Sequence, residues 1–534
     1  MVIYPPVQRV LSSLVILVFI SIVSLFFRLG SLPLSGADEP RYARIAQEMY
    51  EQGNWITPHL EGKPWLEKPP LYYWLTIPLF AIFKSSETAA RVGPAVCAFV
   101  TGLIVFWLGA VLRTRLAGLL GATVLLTSLG FVGYGRSAST DMPFTCCFTL
   151  AMAILAVAVE RDIGLKVLCA YAFLGLAVLA KGPVALILAA GIGLSFWLLH
   201  ERGGLGRRWR IITGLIVVAI VSIPWFWLVF RENGYAFIST FFINHNLARF
   251  VTDIHHHSQP FYYYVPVLLV LIFPWSGWLF MLISESPVER VRRWRQWDPR
   301  MVFYTCWFLV PILFFSLSDS KLAGYILPSF PPLALILGIR ISRCLDDASA
   351  SRKLRTGMVL HLILSALMAI GALVYFHNEY GGSWIVGLWL SFAILVPALF
   401  AFGFNSSCKR AFKATALQGI VILVAIVQFA FPVLGAYHSA REIAHQALML
   451  QKKGEPIVTY RFFHHSLHYY SGYRIEDDLR DFGSLYQFAQ THTSALVVTK
   501  LDGLKDLSGS PDFSISILAE QGNFRLLRLS PRQK

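Results

Sequence analysis

Long uncharged stretches recur along the chain at a near-regular spacing. Mostly apolar runs without Asp, Glu, Lys or Arg cover residues 11–27, 92–112, 116–135, 142–159, 182–199, 211–230, 258–284, 301–318, 322–339, 381–407 and 414–437. A further run, 357–376, is interrupted only by His361. A helix needs roughly 20 mostly apolar residues to cross a bilayer, so each run predicts a membrane-spanning helix. Two shorter segments need separate treatment. Residues 71–83 include Pro78 and are too short to span, which predicts a helix lying at the membrane interface. Residues 167–180 are also short, but Lys181-Gly182-Pro183 separates them from the next run, which predicts a helical hairpin. After residue 437 the pattern changes. Residues 441–453 have amphipathic helical spacing, and 456–460, 495–500, 515–519 and 524–529 read as strands, the last two joined around Gly522-Asn523. The expected organisation is a polytopic α-helical membrane domain of about 13 spans over 1–437 and a small extracytoplasmic α/β domain over 438–534.

Composition agrees and removes other classes. Of the 534 residues, 56% are hydrophobic and 14% charged, whereas soluble domains average about 25% charged. Disordered, coiled-coil, collagen-like and ordinary cytosolic proteins are excluded. The seven cysteines all precede residue 409, so the tail has no disulfide framework. The first run is long for a signal-peptide core and reads as an uncleaved signal anchor.

The net charge of +16 would suggest nucleic acid in a soluble protein. Its location removes that reading. With residues 71–83 interfacial and 167–180 spanning, the loops of one side carry 22 basic and 8 acidic residues. The opposite loops carry 12 of each, and the tail carries 12 basic and 10 acidic residues. Basic loops stay cytoplasmic, so the excess fixes orientation and implies no nucleic-acid partner. The balanced loops face outward.

Two outer loops are long, 31–91 and 231–260, and hold most of the unusual polar residues. The first contains Asp38 and Glu39, with Arg41 and Tyr42 about one turn further on, then Glu67-Lys68-Pro69-Pro70 ahead of an aromatic helix. A carboxylate just outside the bilayer suits a base or an acceptor-orienting group. On spacing alone, simple capping of a helix N-terminus is the favoured reading. Lys68 at head-group depth suits a lipid phosphate, or a snorkelling pair with Glu67. The second loop contains His245, Arg249 and the triplet His255, His256 and His257. Arg249 could grip a phosphate through two parallel hydrogen bonds, whereas three consecutive histidines cannot all converge on one ion. Arg136, Asp141, Lys181, Lys321 and Tyr325 fall on the same outer side. His464, His465 and His468 in the tail read as surface or packing residues.

The motifs D-E-x-R-Y-A, L-E-K-P-P-L-Y-Y-W-L, R-S-A-S-T-D-M-P-F, A-K-G-P and K-L-A-G-Y-I-L-P-S-F-P-P occur in that order between residues 38 and 332. In these the chain resembles the bacterial lipid-to-lipid glycosyltransferases of the protein O-mannosyltransferase-like superfamily, most of all the 4-amino-4-deoxy-L-arabinose lipid A transferases. The resemblance implies a GT-C fold, an active site on the periplasmic face of the inner membrane, and an undecaprenyl-phosphate-linked sugar as donor. It makes Asp38 the base or acceptor-orienting acid and Asp141 a second carboxylate. It places Lys68, Arg249 and Tyr325 at the donor phosphate; Glu39, Arg41, Tyr42 and Lys321, beside these in the outer loops, are expected in the substrate pocket. It also makes Glu67 a zinc ligand whose partner histidine falls at Asn246 here, with His245 one residue earlier. No cofactor is required, because the donor's phosphate is already a good leaving group; Zn2+ or another divalent metal at Glu67 and His245 is the remaining option. The implied reaction is inverting transfer of aminoarabinose to lipid A phosphate. Transfer of mannose or another sugar to protein or a different envelope glycan is the alternative within this class, and a lipid-linked sugar flippase or transporter the alternative outside it.

Overall fold

A computed structural model describes residues 7–83, 86–200, 208–248, 259–282, 298–346, 351–508 and 512–531. Among these, nine helices are long and apolar enough to cross a membrane, or up to eleven if each of two bent pairs is one span. Two further apolar helices expected as spans, Val10–Phe26 and Val184–Leu199, are shorter. The chain is a multi-pass membrane protein. The apolar run 116–135 is broken in the structure, where helices Arg115–Leu126 and Leu129–Gly135 meet at 69°. The Thr127 and Ser128 hydroxyls donate back to the carbonyls of Thr123 and Val124 at 2.7 and 2.6 Å, a local bonding that bends helices.

Two kinds of packing explain these elements. On the Ile211–Asn233 helix, Ile212, Ile216, Ile220, Ile223 and Trp227 are all exposed. Their spacing of three and four puts them on one face, where lipid takes the role of a protein core. Inside the bundle, small residues allow close approach. A Cβ on Gly338 would lie 2.5 Å from the Ala117 carbonyl and the Gly121 amide, so helix Phe330–Asp346 packs directly on the backbone of Arg115–Leu126.

The long loop after the first helix is ordered. Helix Asp38–Gln52 starts with two acids and Pro40 and ends at Gly53, whose φ of 66° closes the last turn. Strands β1 (His59–Leu60) and β2 (Lys63–Pro64) form a hairpin turned by Glu61 and Gly62, both at positive φ. Buried Glu48 accepts the amides of those two residues at 2.9 and 3.1 Å. Helix Leu71–Ile82 then packs beside Asp38–Gln52 and the long helix Ser86–Leu112, and the Tyr72 hydroxyl donates to the Ala90 carbonyl at 2.9 Å.

The tail forms a five-stranded mixed sheet in the order β4-β3-β5-β7-β6, with β3 Ile457–Tyr460, β4 Ile475–Leu479, β5 Ala495–Lys500, β6 Phe513–Gln521 and β7 Phe524–Pro531. The β6–β7 hairpin turns around Gly522, as its sequence predicts. Strand β4 and the helices His465–Tyr470, Phe482–Thr491 and Leu501–Ser508 were not anticipated. Strand β4 reads I-E-D-D-L, an edge strand with exposed acids in place of alternating apolar residues.

Candidate active site

Residues remote in sequence meet at the outer ends of several helices. Asp38 stands in the first turn of Asp38–Gln52, Asp141 in the first turn of Asp141–Glu160, and Lys181 in the last turn of Leu168–Lys181. Carboxylates at helix N-termini and an ammonium at a C-terminus each complement the helix dipole. They line one cavity of about 940 Å³, together with Glu39, Arg41, Tyr42, Glu67, Lys68, Tyr134, His245 and Tyr325. Ser35–Ala37 and Ser137–Thr140 form part of its polar wall. Pro183, Val184, Ile187, Phe242, Phe314 and Phe315 form the apolar wall.

The two acids of the Asp-Glu motif have different surroundings. Asp38 is more than half exposed and pairs with Arg41 at 2.5 Å, while the Arg41 guanidinium lies 5.2 Å over the Trp65 ring. Glu39 is held from three sides. Arg91 donates to it at 2.6 and 3.0 Å, and the amides of Ser35 and Ala138 donate at 3.2 and 2.9 Å. Glu39 therefore touches the cavity as part of its frame. Tyr42 is buried against Tyr72 and Tyr73, with ring centroids at 5.9 and 6.3 Å. Burial and then the Asp38 charge push its pKa well up, so it stays a neutral phenol.

On the opposite side, Asp141 pairs with Lys181. The Lys181 ammonium also lies 5.0 Å from the Tyr325 ring and 5.6 Å from Phe144. Lys68 lines the same cavity. Arg249 and the His255–His257 triplet lie outside the described residues. Lys321 is held by backbone acceptors. Its ammonium donates to the carbonyls of Gln259 and Ser318 at 2.8 and 2.6 Å, and it is not among the cavity-lining residues.

Glu67 and His245 do come together, with Oε1 and Nε2 3.5 Å apart. Among the described residues no group of three or more His, Cys, Asp or Glu is arranged to hold a metal. Two protein ligands are fewer than the three or four of zinc sites, so this pair alone does not fit a zinc centre. The tail histidines pack: His464 contacts the Ser466 hydroxyl at 2.7 Å and His468 lies 3.4 Å from Asp478.

Two buried arginines hold the approach to the site: Arg91, which the sequence reading did not single out, and Arg136, which it noted on the outer side. Besides Glu39, Arg91 donates to the carbonyls of Leu29, Leu32 and Pro33. Arg136 donates to those of Ser24, Leu25, Phe27 and Arg28. Together they satisfy the backbone at the end of the first helix and the loop leading to Asp38. The sequence signal of Arg91 was an arginine at the outer edge of an apolar run, whereas Arg136 also opens the R-S-A-S-T-D-M-P-F motif.

The lipid-facing helical bundle carries a cavity of acids, cations and aromatics at its helix ends, and comparison with known proteins makes it a membrane glycosyltransferase of GT-C fold. Residues 67–227 match the family described as dolichyl-phosphate-mannose-protein mannosyltransferase. The chain is 32% identical to undecaprenyl phosphate-α-4-amino-4-deoxy-L-arabinose arabinosyl transferase 1 of Pseudomonas fluorescens, over 74% of this chain and 69% of that one. It is 33% identical to the corresponding transferase of Pectobacterium carotovorum, over 65% of this chain and 63% of the relative. The chain belongs to the undecaprenyl phosphate-aminoarabinose arabinosyl transferase family. Its fold is similar to the crystal structure of ArnT from Cupriavidus metallidurans bound to undecaprenyl phosphate, with a TM-score of 0.79 at 21% identity, covering 98% of both chains.

Proposed function

We propose that the protein is an inverting glycosyltransferase that moves 4-amino-4-deoxy-L-arabinose from undecaprenyl phosphate to a phosphate of lipid A. The observation that carries this reading is the convergence of Asp38, Lys68, Asp141 and Tyr325 on one cavity with an apolar wall, in a chain of this family. The segregation of basic loops supports a cavity that faces the periplasm from the bacterial inner membrane. The catalytic unit is residues 1–437, and 438–534 form the periplasmic domain.

The chemistry follows from charge. The bond from the sugar's anomeric carbon to the donor phosphate oxygen breaks, and one from an acceptor oxygen forms on the opposite face. The departing phosphate gains negative charge, which Lys68 stabilises without rearrangement. Asp38 lies beside Arg41, so the pair can orient an acceptor phosphate whose oxygen is already anionic. A hydroxyl acceptor would instead need Asp38 as base. Val184, Ile187, Phe242, Phe314 and Phe315 suit the isoprenoid chain. A flippase would be expected to place its ionisable groups near the bilayer midplane, whereas these stand at helix ends.

The test is transfer by the purified full-length protein in detergent, with undecaprenyl-phosphate-linked aminoarabinose and lipid A. We expect transfer by the wild type and loss of about 100-fold or more in Asp38→Asn. Transfer to an envelope protein with none to lipid A would favour the mannosyltransferase-type alternative.

A further inference from the structure

The segment that delivers Asp38 to the cavity has no regular backbone pairing. Residues Leu32–Ser35 lie between the first membrane helix and Asp38–Gln52 without helix or strand, and Gly36 follows at a φ of 67°. Side chains hold this segment. Arg91 takes the carbonyls of Leu32 and Pro33, and Glu39 takes the amide of Ser35. The amide of Leu34 donates to the hydroxyl of Tyr470 at 2.8 Å. Tyr470 belongs to the C-terminal domain, 436 residues away.

The same hydroxyl donates to Glu87 at 2.9 Å, and Arg441 of the C-terminal domain approaches that carboxylate at 3.4 Å. Glu87 stands in the first turn of the Ser86–Leu112 helix. One oxygen therefore ties the loop before Asp38 to a membrane helix through a residue of the other domain. The rings of Tyr469 and Tyr470 pack on the cluster that contains Leu34, Tyr42, Tyr72 and Tyr73. Arg44, one turn beyond Asp38's partner Arg41, lies 4.9 Å over the Tyr473 ring.

We infer that the C-terminal domain is a positioning element of the active site, and that the Tyr470 hydroxyl is the pin that sets the Leu34–Ala37 approach to Asp38. This rests on the reading of Asp38 given above. An ångström-scale displacement of a reacting group can cost orders of magnitude in rate, so removing one pin is expected to act on turnover while the donor site, formed by other elements, keeps its affinity.

The experiment uses the full-length protein with Tyr470→Phe, which deletes one oxygen and keeps the ring packing. Turnover is expected to fall about tenfold, with KM for the undecaprenyl-phosphate donor within about twofold and Tm near the wild-type value. Arg528→Lys weakens the buried ion pair with Glu455 inside the same domain; it is expected to lower Tm and leave kcat unchanged. Hydrogen exchange at the Leu34 amide provides a readout that needs no turnover, and should be faster in Tyr470→Phe than in the wild type. Unchanged exchange, an unchanged kcat in Tyr470→Phe, or a kcat that falls in both variants in step with Tm would overturn the inference. Faster exchange in a protein whose wild type transfers no sugar would uphold the pin and sink the functional reading alone.

Discussion

At the N-terminus of the Asp38–Gln52 helix two neighbouring carboxylates have separate partners: Asp38 stands in the cavity beside Arg41, whereas Glu39 is held by Arg91 and two backbone amides. Their variants should fail differently. Glu39→Ala leaves the buried Arg91 charge without that partner, a loss of about 3–5 kcal/mol. Little folded protein should then be recovered from membranes, whereas Asp38→Asn should be recovered normally and be inactive. Normal recovery and thermal stability of Glu39→Ala would contradict the framing role. Lys68→Ala should weaken binding of undecaprenyl phosphate about tenfold, the size of a lost charge-assisted contact; unchanged affinity would remove Lys68 from the phosphate site. Asp38, Glu67 and Lys68 were legible in the sequence because charges stand out beside apolar runs. Tyr134 was not, since an aromatic inside such a run looks the same whether it faces lipid or a cavity, and neither was Phe242, one of several aromatics in the 231–260 loop with no charge to mark it. Lys321 was legible only as a charge near the site, because the carbonyls that hold it leave no mark in the sequence.

The elements were legible in proportion to how much of their pattern is apolar. The hairpin partners β6 and β7 and the buried β5 follow their runs closely, while β4 was missed because an edge strand needs few apolar residues. The His465–Tyr470 helix was missed too, being short and rich in His and Tyr. It begins beside a titratable pair. Burial, followed by nearby cations, pushes His464 and His465 down to about 4. The unfolded chain holds its histidines nearer 6.5, so between the two values it binds more protons than the folded state. Stability is then complete above about pH 6.5 and falls as the pH drops towards 4. Thermal unfolding of the full chain should show a transition that moves down from pH 7 to pH 5. His464→Gln with His465→Gln should flatten that dependence. A pH-independent transition in the wild type would contradict it.

Across the whole molecule, the helical bundle and the small C-terminal domain with its β-sheet were legible from run lengths and from the change of pattern after the last apolar run. The bends within the 116–135 and 258–284 runs were not, because they come from hydroxyl back-bonding and turn geometry inside continuous apolar stretches. Orientation rests on the 22 basic residues of one set of loops against 8 acidic ones. A cysteine introduced in the 438–534 domain of a chain lacking its native cysteines should therefore react with a membrane-impermeant maleimide in intact spheroplasts, and one in the 161–166 loop should not. The reverse pattern would turn the cavity to the cytoplasm. The central claim is most directly tested by mass spectrometry of lipid A from cells in which this chain is the only aminoarabinose transferase. With the wild-type chain the lipid A phosphates should carry the amino sugar, and with Asp38→Asn, present in the membrane at the same level, they should carry none. Unmodified lipid A with the wild type, or modification that persists with Asp38→Asn, would contradict the account.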